Sequence, residues 1–67
     1  MSVMTLESPG TRVRVSAVHR DSPDWLAIEG EMVVVFSHPS GAVLRWGDGY
    51  GTVKVKADDV LEWEVVG

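Results

Sequence analysis

Apolar and polar side chains alternate through most of this 67-residue chain. In TRVRVSAV, Val13, Val15 and Ala17 fall on one face and Arg12, Arg14 and Ser16 on the other. That period of two is the signature of a half-buried strand. AVLRW repeats it, with Ala42, Leu44 and Trp46 against Val43 and Arg45. LEWEVV does so again, with Leu61, Trp63 and Val65 against Glu62, Glu64 and Val66. EMVVVFS breaks the rule. Met32, Val34 and Phe36 alternate with Val33 and Val35, so both faces of this run are apolar.

Turn-forming residues separate these runs. Residues 1–10 read as a loose lead-in that ends at Pro9-Gly10. HRDSPDWLAIEG (residues 19–30) reads as a long excursion, with room for a helical turn at Pro23–Ala27 capped by Ser22. HPSG turns the second strand into the third. RWGDGYGTVKV reads as a hairpin rather than a ligand loop, with Asp48-Gly49 as its two-residue turn. That register sets Trp46 opposite Gly51, Arg45 opposite Thr52, Leu44 opposite Val53 and Ala42 opposite Val55, with Lys54 and Lys56 outward. ADDV suits one 3₁₀ turn before the last strand. The expected fold is all-β: a single domain over residues 1–67 whose five strands close into a small barrel, since closure removes exposed edges.

Composition narrows the chemistry. Without cysteine there is neither a disulfide nor a thiolate-bound metal, and His19 and His38 are the only imidazoles. No cofactor is expected. Ser37 or Ser40 beside His38 would make a nucleophile–base pair, but no third group to orient it is evident. Asp58 and Asp59 read as a solvated helix start rather than a metal site. GDGYG lacks the Lys-Ser/Thr of a phosphate loop. Ten acidic against six basic residues give a net charge of −4, which speaks against nucleic acid as the partner. No long apolar run or signal region is present, so cytoplasmic residence without membrane contact is the expectation.

The order of elements resembles the SH3-like barrel: PGTRVRV opens the first strand, EGEMVVV the second, and ADDVLEW makes the turn before the last. GTRVRV and the spacing of Trp25 from Gly30 are also similar to photosystem I reaction-centre subunit IV. The plasmid-type dihydrofolate reductases look similar too. Their pore-lining Val-Gln-Ile-Tyr would correspond to Val53, Lys54, Val55 and Lys56, where lysines replace the glutamine and the tyrosine. The Ala-Leu-Tyr-Asp-Tyr stretch of peptide-binding SH3 domains is absent, so recognition of proline-rich peptides is not implied.

The first functional reading is a non-enzymatic protein-interaction module that binds a protein partner or itself. Its candidate residues are Trp25, Met32, Val34, Phe36 and Val43. One set in EMVVVF must face outward in a barrel, either Met32, Val34 and Phe36 or Val33 and Val35, and alternation leaves open which. The second reading is a nucleic-acid-associated barrel using Arg45, Tyr50, Lys54 and Lys56. The third is a pore-type oligomeric reductase.

Overall fold

The structure is a computed structural model that describes residues 3–20, 26–49 and 51–67, with Leu26 described by its backbone alone. The expected contributions of Trp25 and Tyr50, and of a helical turn at residues 23–27, lie outside the described residues.

Five antiparallel strands form one sheet: β1 (Arg12–His19), β2 (Leu26–His38), β3 (Gly41–Trp46), β4 (Thr52–Lys56) and β5 (Val60–Val65). One 3₁₀ turn, Ala57–Asp59, precedes β5. The order across the sheet is β4-β3-β2-β1-β5, so the first and last strands pair and β4 and β5 are its edges. The sheet is not closed into a barrel, which corrects that part of the expectation. It does curl. Although β2 and β3 separate β1 from β4, the His19 imidazole at the end of β1 lies 2.7 Å from the Lys54 carbonyl of β4, with Nε2–H as donor. One side-chain bond stands where a closed barrel would continue its ladder.

Curling lets a single sheet bury its own inner face. Val13, Val15 and Ala17 of β1 meet Ile28, Met32 and Val34 of β2, Ala42 and Leu44 of β3, Val55 of β4 and Val60. Met4, Trp46, Val53 and Trp63 pack around this cluster, half-buried. Each large side chain removed from water here contributes about 1.5–3 kcal/mol. In a domain of this size, a few such groups account for most of the net stability.

β2 starts earlier than expected. Ile28 pairs with Ala17 and enters the core, so the chain from Leu26 to Gly30 is strand rather than loop. The hairpin register is as the sequence suggests, from Arg45 opposite Thr52 to Ala42 opposite Val55. Its tight turn is shifted, however. The amide of Gly49 donates to the Trp46 carbonyl at 2.8 Å, so that turn encloses Gly47 and Asp48. Gly49 then carries a positive φ of 86°.

Two glycines therefore serve different ends. Gly49 has open space where a Cβ would go, so an alanine there meets only backbone strain, about 1–2 kcal/mol. A Cβ on Gly41 would run into the Val55 carbonyl across the β3–β4 ladder, and two paired strands would have to part. Urea unfolding should therefore place Gly41→Ala well below Gly49→Ala in stability, with both below the parent chain. The reverse order would contradict this turn and this strand approach.

Candidate functional site

The ambiguous run in β2 resolves through a β-bulge. A two-residue turn at Pro39-Ser40 sets His38 opposite Gly41, Ser37 opposite Ala42 and Phe36 opposite Val43. Val34, not Val35, then faces Leu44. Val35 is the extra residue, and a bulge of this kind exchanges the faces on either side of it. Met32 and Val34 are buried at 0% and 1% exposure, which corrects their assignment as interaction residues: the bulge turns both into the core. Val35 and Phe36 are both outside, at 42% and 56% exposure. Val43, half-buried, shares the outer face with Phe36.

The lead-in holds the bulge in place. Gly10 donates to the Val34 carbonyl at 2.7 Å, and the Val34 amide donates to the Thr11 carbonyl at 2.8 Å. Three residues further along, the Ser37 hydroxyl accepts from the Glu7 amide at 2.9 Å and donates to the Glu7 carbonyl at 2.8 Å. These bonds extend the β1 side of β2 past Arg12 and tie the lead-in to the strand on both sides of Val35.

A groove of about 600 Å³ lies against this region. Phe36 and His38 of β2, Val43 of β3, and Lys54 and Lys56 of β4 line it, with His19 and Asp59. That volume is in the usual range for ligand clefts. The Phe36 and His38 rings stack, with centroids 6.3 Å apart and an interplanar angle of 21°. Arg45 continues the cationic strip on the outer face, opposite Thr52 and Val33. Asp59 is buried, not solvated as the sequence suggests, and lies 3.8 Å from the Arg20 guanidinium.

Two arginines of β1 have carboxylate neighbours. Arg14 lies 3.9 Å from Glu64 across the β1–β5 ladder, and Arg12 lies 3.9 Å from Glu31 of β2. A second hollow of about 320 Å³ is lined by Val3, Arg14, Leu61, Glu62, Trp63 and Glu64. Leu61 is another bulge residue, since Ala17 pairs with Val60 and Ser16 with Glu62; this moves Leu61 off the core face expected for it.

The catalytic and metal patterns considered from sequence look different in place. His38 Nδ1 sits 2.8 Å from the Ser40 hydroxyl and also accepts from the Ser40 amide at 3.1 Å. Both contacts belong to the exposed β2–β3 turn. Among the described residues no group of three His, Cys, Asp or Glu side chains could hold a metal ion. Of the Val53–Lys56 stretch, Val55 is buried and Val53 half-buried, so Lys54 and Lys56 are its outward groups. No helix among the described residues is long and apolar enough to cross a membrane. Comparison with protein-family models, with curated proteins and with solved structures finds no match to this chain.

His19 and Asp59 carry no signal in the sequence that would join them to Phe36. The bulge predicts opposite fates for adjacent residues. Val34→Lys puts an unpaired ammonium in the core, a cost on the order of several kcal/mol that exceeds what this domain can lose. Val35→Lys and Phe36→Lys should stay folded by circular dichroism and melt within a few degrees of the parent. A folded Val34→Lys beside an unfolded Val35→Lys would mean that the strand runs in the other register.

Proposed function

We propose that this chain is a small, non-enzymatic β-sheet binding module, of the SH3-like kind its strand pattern resembles, that takes a protein partner in the cytoplasm. Its binding face is the outer side of β2, β3 and β4. The observation that carries this reading is Phe36, a large apolar side chain more than half exposed, set beside Val43 on the wall of the groove. Aromatic groups at the centre of a contact dominate binding energy, and clustered exposed apolar groups on small domains mark interaction surfaces.

Charge bears on the kind of partner. Two copies meeting on this face about a two-fold axis would set Arg45, Lys54 and Lys56 against the same groups of the neighbour. Such like-charge apposition opposes a symmetric pair and favours a different molecule. Nucleic acid fits less well, because Arg12, Arg14 and Arg20 already have carboxylate neighbours.

The test is paired capture from the native host, using the wild type and Phe36→Asp as bait, both shown folded. At least one protein should be retained by the wild type and lost with the variant. Identical sets from both would reject this face. Light scattering across micromolar concentrations should give the mass of one chain.

A further inference from the structure

Resting on the reading of this face as protein-binding, we infer that the partner segment held in the groove is acidic and carries one large apolar side chain. The apolar part follows from Phe36 and Val43, the large apolar side chains on the outer wall of the groove. The acidic part follows from the charges around it. Lys54 and Lys56 line the groove, and Arg45 extends the same face. Among the described residues that line the groove the one carboxylate is Asp59, and it has Arg20 at 3.8 Å. Among the described residues Arg45 and Lys54 make no ion pair, while the three other arginines do. A chain of net charge −4 thus gathers a positive face around its exposed aromatic ring.

The mode of contact follows from the edge of β4. His19 already donates to the Lys54 carbonyl, so the middle carbonyl of this five-residue edge is taken and an added strand would lose a bond there. The segment lies across the outer face and is recognised through its side chains. Its carboxylates meet Lys54 and Arg45, and its apolar group packs on Phe36. Among the described residues this face offers one phenyl ring, already stacked on His38, a poor platform for successive bases, which sets a single-stranded nucleic acid behind an acidic peptide.

The probe is a capped, fluorescently labelled octapeptide of glutamates with one central phenylalanine. Controls replace every glutamate by glutamine, or the phenylalanine by alanine, and a labelled 12-mer of thymidylate stands for nucleic acid. Fluorescence anisotropy should show binding of the acidic peptide that weakens with salt. Lys54→Glu and Phe36→Ala, both exposed and expected to fold, should each weaken it by about tenfold. Equal binding of the glutamine peptide, still dependent on Phe36, would overturn the acidic assignment and leave the face itself standing. Binding indifferent to Phe36 would remove both. Failure of the acidic peptide to bind would overturn the inference, and the capture experiment would then decide the broader reading. Tighter binding of the thymidylate, or a mass that grows with concentration and is reset by Lys54→Glu, would transfer the groove to nucleic acid or to a second copy.

Discussion

The extra residue at Val35 decides what this protein shows to its surroundings. Without it, the tight turn at Pro39-Ser40 would carry regular pairing up the strand and set Val35 against Leu44. Val34 would then lie outside. With it, Met32 and Val34 both reach the core, and Phe36 points outward beside Val43. Either inward set is apolar, Met32 with Val34 or Val33 with Val35, so the hydrophobic effect separates the two poorly. Directional bonds separate them better. Val34 uses both its amide and its carbonyl on Thr11 and Gly10, and Ser37 clasps Glu7 from both sides. The segment that precedes β1 therefore sets the identity of the exposed face. Breaking a satisfied pair of buried backbone bonds costs more than one such bond adds, because both groups lose their partners at once.

The open sheet is a consequence of strand length at the edges. β4 has five residues, and β5 pairs with β1 only as far as Ala17. Beyond that point the end of β1 has β2 on one side and no fifth strand on the other. His19 fills the gap with a side chain. This bond protects one carbonyl of an edge strand, and bulging does the same for the opposite edge by moving Leu61 out of line. Both devices limit edge-to-edge pairing between copies, in keeping with the proposed use of a sheet face.

Much of the fold was legible because alternation and turn chemistry are local. Val13, Val15 and Ala17 declare the inner face of β1 without help, and the pairing of Leu44 with Val53 follows from counting back from the glycines. The 3₁₀ turn at Ala57–Asp59 is likewise readable from four residues. The candidate site was only partly legible. Phe36 and Val43 could be named as exposed, but so could Met32 and Val34, since three consecutive valines offer no local preference for which one bulges. The partners that choose, Gly10 and Thr11, lie more than twenty residues away in sequence. His19 and Asp59 are likewise joined to Phe36 only by the curl of the sheet, which no local pattern announces. The start of β2 is hidden in the sequence because SPDWLAIEG is rich in turn formers, and pairing of Ile28 with Ala17 outweighs that local signal.

The placement of charge then gives the exposed ring its meaning. The ion pairs of Arg12 with Glu31 and Arg14 with Glu64 are exposed and long, so each adds little to stability. Their effect is to cancel positive potential over the outer side of β1, leaving Glu29 and Glu62 to colour that surface. On the far side of the fold the balance reverses, with Arg45, Lys54 and Lys56 around Phe36. At physiological salt, exposed charges more than about 8 Å apart are largely screened. A molecule near the groove therefore feels the local cations rather than the net charge of −4. An acidic segment of the kind proposed would meet like charge at β1 or β5, whereas at β3 and β4 it would meet opposite charge next to an apolar surface. Attraction and repulsion on opposite sides of one small sheet restrict where such a segment can settle, and specificity of this kind requires no deep pocket.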